Sequence, residues 1–395
     1  MTFSNPHQPG WLPRRVPHRR ELQAFMKQDG QSAAQLVELS DSSLFRSAAQ
    51  KSKLTVSQLR ESIKVLRTCL PAGSLALAGA PIIVPPLGGL SAPPRETGGE
   101  IAPEAAFKAL RWRNRERKLP AKCDLISEFH DKPVIAQRGP DCVGHACRNA
   151  AEVCLGIRGE KLSGLFAWEY AMAKDGFPIP PQGTWPAPVL QGIVDRGVCL
   201  EKHHPEEKFF DDRYVTPSAA ANRDASRRRL ETFVSLRSWI GTESVIEDMQ
   251  SLLAGDRGLS PRPLILGVNL PAEWLTREAL ITGVRPVPFS DQSQGGHSFV
   301  LIGYFPFNGQ TWFLGLENWG DRVGSANPFG YPQNMGLVFI PAAFFRDPKW
   351  FWDLAIAARH SEVEQMSGSS PGRSCPRSVD RAFAPINRAL AATAA

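Results

Sequence analysis

The chain is predicted to be an α+β protein, with segments of helical and strand period across its central part. Three observations predict this. An apolar face with helical period runs from Cys142 to Leu155, strand-like apolar runs gather later in the chain, and short loops separate apolar segments across residues 119–358. At 395 residues the chain exceeds the roughly 100 to 200 of a single domain. Three parts are therefore expected: an N-terminal extension over 1–118, a compact domain over 119–358, and a loose Ser-, Arg- and Ala-rich tail over 359–395.

Taken in order, the extension has a basic start with Arg14, Arg15, Arg19 and Arg20, then a helical stretch over 57–70. Between Thr68 and Pro94 there is no charged residue, but Pro71, Pro81, Pro85, Pro86, Pro93 and Pro94 break any continuous helix, so this reads as a linker and not a membrane span. A basic helical stretch follows over 105–118. The extension reads equally as a pro-segment, a partner-binding arm or a disordered leader. In the domain, the breaker Gly139-Pro140-Asp141 starts the helix at Cys142. Val143, Ala146, Cys147, Ala150, Ala151 and Cys154 share its apolar face, while His145, Arg148, Asn149 and Glu152 form the polar face. A second helix is expected over 244–253, and strands over 263–270, 298–304 and 311–316.

Composition narrows the function classes. Forty-two per cent hydrophobic and 22% charged residues suit a packed core and exclude a collagen-like or wholly disordered chain. The net charge of +7 sits at the ends and connectors without an aromatic-interleaved stripe, so no nucleic-acid partner is expected. Seven cysteines with no Cys-x-x-Cys spacing argue against a zinc ribbon or disulfide framework, and no metal cluster, nucleotide loop or cofactor motif is found. The first thirty residues lack the apolar stretch of a secretory signal, so a cytoplasmic, reducing location is expected, with non-cleaved export as the alternative.

Cys142 is the candidate nucleophile, because a thiol in the first turn of a helix meets unpaired backbone N–H groups and the positive end of the dipole. Its base is sought among eight histidines. His297 stands out: Gly295-Gly296 precede it and an apolar strand follows. His145, His203 and His204 read as surface or structural.

These residues carry a resemblance. The segment Gln137-Arg138-Gly139-Pro140-Asp141-Cys142-Val143-Gly144-His145-Ala146 resembles the nucleophile segment of the papain-like cysteine peptidases. Gly295-Gly296-His297-Ser298-Phe299-Val300 resembles their histidine strand, and Phe313 to Gly320 (FLGLENWG) the strand that follows it. Leu119 to Leu125 is similar to a mature-domain start, and Gly197 to Glu201 to the stretch after the central helix. Cys142 and His297 are 297 − 142 = 155 residues apart, against about 130 to 150 for this arrangement.

The resemblance implies a two-subdomain fold, one subdomain helical and the other an antiparallel, β-barrel-like sheet, with the active site in the cleft between. It implies peptide-bond hydrolysis through an acyl-enzyme and a protein or peptide substrate. Gln137 is implied as an oxyanion donor, although it stands one residue closer to the cysteine than in the family's pattern. The third member is open. Strand parity favours Glu317, which shares a face with Trp319, whereas residue type and a bulge would favour Asn318. Asp141 is placed to cap the helix but would oppose thiolate formation. A catalytically silent peptide-binding relative, or a thiol acyltransferase or deubiquitinase-like enzyme, is the alternative reading.

Overall fold

The computed structural model describes residues 9–10, 12–29, 31–39, 44–69, 119–174, 176, 183–209, 214–255 and 260–362. The expected stretch over 105–118, most of the linker, and the tail beyond residue 362 lie outside the described residues. Among the described residues, no helix is long and apolar enough to cross a membrane.

An open, wholly antiparallel seven-stranded sheet organises the molecule. Its strands are β1 (Cys123–Asp124), β2 (Thr232–Ser235), β3 (Leu264–Pro271), β4 (Ser293–Phe307), β5 (Gln310–Leu316), β6 (Leu337–Pro341) and β7 (Phe351–Ala358), in the order β2-β7-β3-β4-β5-β6, with β1 also paired to β4. The sheet does not close into a barrel.

Strand β4 connects the two cores because its side chains alternate. Val300 and Ile302 join the core shared with the helical layer, while Phe299 and Leu301 join the core on the opposite face. A register shift between Leu301 and Gly303 then reverses this parity, so that Tyr304 faces the second core and Phe305 the first. Glycine is required at 303, since a Cβ there would lie 2.4 Å from the Cys123 carbonyl oxygen.

The helical layer contains α5 (Cys142–Cys154), α6 (Gly164–Lys174) and α7 (Pro186–Asp195). Val143, Ala146, Cys147, Ala150 and Ala151 are buried in its core, as the helical period predicts. The polar face of α5 is buried too, which its composition did not indicate. Glu152 accepts from Lys132 Nζ at 3.0 Å and from the Leu162 N–H at 2.8 Å, and Lys161 Nζ lies 3.6 Å away. Partnered charges make that burial tolerable.

The N-terminal segment is more structured than its weak patterning suggests. Helices α1 (Arg19–Asp29), α2 (Ala33–Leu39), α3 (Phe45–Lys51) and α4 (Val56–Cys69) gather Leu22, Met26, Leu36, Ala48, Leu59 and Leu66 into a third core. Only α4 was anticipated. This layer docks on the loops around β4: the Val287 N–H donates to Asp29 O at 2.6 Å, Gln35 Nε2 to Val284 O at 3.1 Å and Lys51 Nζ to Pro288 O at 2.8 Å. Phe25 meets Phe289 edge to face at 5.8 Å.

Candidate active site

Helix α5 begins at Cys142, as the Gly139-Pro140 breaker requires, and packs against β4. Cys142 is 2% exposed. Asp141 occupies the N-cap position at φ −97°, ψ 19°, yet its side chain makes no cap. The expectation of a capping role therefore fails, because the carboxylate is drawn to His145 Nε2 at 3.1 Å.

His297 is 1% exposed and lies opposite Val268 in the β3–β4 ladder. Its Nε2 is 2.7 Å from Glu317 Oε1. With that nitrogen committed, Nδ1 is the ring nitrogen left for the thiol, and it makes no hydrogen bond. Cys142 is close enough to bear on the protonation of His297. Burial alone would lower the pKa of His297. The Glu317 carboxylate and Cys142 outweigh it and raise the value to about 9. Trp319 covers the imidazole at 4.5 Å, tilted by 31°, and Phe299 stacks on it at 5.9 Å.

Glu317 and Asn318, just beyond the end of β5, point to different partners. Glu317 continues the β5 ladder through its N–H to Gly336 O at 2.8 Å and aims its carboxylate at His297. Asn318 does not meet His297. Its Nδ2 donates to Cys142 O at 3.2 Å and to Ser298 O at 2.8 Å, tying the start of α5 to β4. Gln137 is brought in by its own N–H, which donates to Asn318 O at 2.8 Å. Its Nε2 donates to Gly139 O at 2.9 Å, which leaves the second N–H of that amide for another acceptor.

Cys147 differs from Cys142. It is fully buried, and burial with Asp353 behind it pushes its thiol pKa well above the ordinary value. That thiol stays protonated.

His145 and His204 are both buried and structural, while His203 is about one-third exposed. His204 Nε2 is 2.8 Å from Glu169 Oε2. Asp141, His145 and Glu206 bring three ligand-type atoms within 4.8 Å of one another. Both carboxylates lie 3.1 Å from the same His145 Nε2, and despite burial they raise its pKa to about 8. The group thus holds itself together as an imidazolium between two carboxylates.

Sequence reasoning missed Arg285, which is buried over Trp319 with its guanidinium 5.6 Å from that ring. Its signal was available: it is the lone charge between Glu278 and Asp291. Such a residue is a candidate for a buried, paired charge.

No protein-family model matches the chain, and no curated protein matches it. Solved structures do. Xylellain, a cysteine protease from Xylella fastidiosa, aligns with a TM-score of 0.50 at 19% identity, covering 61% of this chain and 87% of that one. The proform of the ragweed pollen cysteine protease Amb a 11 aligns at 0.46 and 16% identity, covering 65% and 73%. A Carica candamarcensis cysteine protease aligns at 0.42 and 13% identity, covering 61% and 99%. The first of these likenesses, with the antiparallel sheet flanked by the Cys142 helix, identifies the chain as having a papain-like α+β fold.

Proposed function

We propose that this protein is a cysteine peptidase in which Cys142 is the nucleophile, His297 its base and Glu317 the group that orients and charges His297. The observation that carries the reading is a buried imidazole with one ring nitrogen on a carboxylate at 2.7 Å and the other left to a cysteine at a helix start. That is the nucleophile, base and orienting group of a triad.

In the reaction, His297 Nδ1 holds the proton of Cys142, and the thiolate attacks a peptide carbonyl. The Cys142 backbone N–H, which has no intrahelical partner in the first turn, and the second Nε2–H of Gln137 stabilise the oxyanion. His297 returns its proton to the leaving amine. Water, deprotonated by His297, then releases the acyl group. Asp141 interferes little with the thiolate, since its charge is answered by His145.

A thiol-directed probe with peptide hydrolysis tests this. Cys142→Ala is expected to abolish both signals, whereas Cys147→Ala keeps labelling and costs stability. Equal loss in the two variants would refute the assignment. One observation favours a second reading, a silent peptide-binding protein: Cys142 and His297 are 2% and 1% exposed. Turnover by the wild-type chain decides between them.

A further inference from the structure

Behind His297 the chain builds a stack that the triad alone does not require. Gly283 turns the backbone with φ +71°, and a Cβ there would lie 2.3 Å from Leu337 O. Arg285, two residues on, is pinned by its N–H to Phe339 O at 2.9 Å and is 1% exposed. Its guanidinium lies over two indoles, 5.9 Å from the Trp274 centroid and 5.6 Å from that of Trp319. Nη1 donates to Trp274 O, and Nη2 has no partner. His297 packs on the same Trp319 ring at 4.5 Å, and Glu317 Oε2, the oxygen not facing His297, is likewise without a partner.

A buried carboxylate is costly unless a charge answers it. While His297 is an imidazolium it answers Glu317. When His297 gives its proton to the leaving group, that answer is lost. An asparagine would need none.

We propose that Arg285 is a positioning residue of this site, the fixed counter-charge to Glu317 through the cycle, which sets the pH window in which Cys142 and His297 share their proton. This role rests on the triad reading above. The charges acting on His297 are Glu317, at the end of β5, and Cys142, at the start of α5. Arg285 feels Glu317 in turn, although burial brings its own pKa down to about 10. Removing the cation should therefore move the pH profile that Cys142 and His297 govern.

The test is the rate of Cys142 alkylation by iodoacetamide against pH in the full chain, with wild type, Arg285→Lys, Arg285→Met, Glu317→Gln and the double variant. Arg285→Met is expected to move both limbs about one unit alkaline, roughly a tenfold loss of rate at a pH on the acid limb. Arg285→Lys should stay near wild type, and the shift should largely vanish in the Glu317→Gln background. Unmoved limbs in Arg285→Met, or an equal shift in both backgrounds, would overturn the role. If Arg285→Met does not fold, a folded double variant supports the charge pairing, and an unfolded one assigns Arg285 to packing alone. A wild-type profile that rises only as an ordinary thiol ionises would overturn the triad reading itself, and this role with it. A normal wild-type profile unmoved by Arg285→Met overturns this role alone.

Discussion

Glu317 and Asn318 are adjacent, polar and buried, yet their substitutions should separate cleanly. The His297 pKa is raised from 6.5 to about 9, so the imidazolium persists until pH rises through about 9. Glu317→Gln removes the charge responsible. The basic limb of the activity or alkylation profile should fall by one to two units, as about expected when an adjacent opposite charge is lost. Linkage has the same sign. The stability from this pair is fully present below about pH 6.5 and lost through about 9, so the thermal-midpoint gap between wild type and Glu317→Gln should narrow towards pH 10. Asn318→Ala should instead leave the limb in place. It removes the amide's donations to the Cys142 and Ser298 carbonyls, and should cost about 1–3 kcal/mol in urea denaturation with a several-fold loss of rate.

The Cys142 helix depends on ions at the scale of a whole element. Its apolar face packs in the ordinary way, but Glu152 on the opposite face sits between Lys132 and Lys161 with no exposed side-chain surface of its own. Glu152→Gln would leave two ammonium groups facing a neutral amide. The cost should be about 3–5 kcal/mol in urea denaturation near pH 6. Lys161 supplies a pH signature, because burial lowers its pKa to about 8 even with Glu152 present. Above pH 8 it sheds its proton and the penalty of Glu152→Gln should shrink. A cost independent of pH would mean that lost packing, not unanswered charge, is the cause.

Across the whole molecule, the N-terminal helical layer is held to the sheet side partly by a residue whose charge is unwelcome. Burial raises the Asp29 pKa from 3.8 to about 6, although Lys51 Nζ lies 3.4 Å away and pulls the other way. A carboxyl raised in the folded state favours that state below its unfolded value, and the advantage disappears as pH climbs through about 6. Docking of α1–α3 should therefore be tightest near pH 4 and loosest near pH 8. Amide exchange of the Val287 N–H, which donates to Asp29 O, reads this directly. Asp29→Asn should make its protection nearly independent of pH, and unchanged pH dependence in that variant would place the switch elsewhere.

Local patterns carried much of this protein on their own. The breaker before Cys142 located the helix start, the apolar runs located β3 to β5, and alternation along 316–319 put Glu317 on the face of Trp319, because side-chain period is a property of neighbouring residues. The helix over 57–70 was legible for the same reason. Strands β2, β6 and β7 were not, since short apolar runs become strands only when a distant partner pairs with them, as Val234 does with Ile356 and Leu314 with Phe339. Helices α1–α3 were hidden by their mixed composition until the third core formed around them. The roles of charged residues were the least legible. Asp141 looked like a cap and His145 like a surface residue until Glu206, 61 positions on from His145, closed the network. Arg285 meets Trp319 because its N–H pairs with Phe339 on β6, and β6 pairs with β5, whose chain runs on into residues 317–319. A charge is tolerated in a core only where another answers it, and folding brings that second charge from far along the chain.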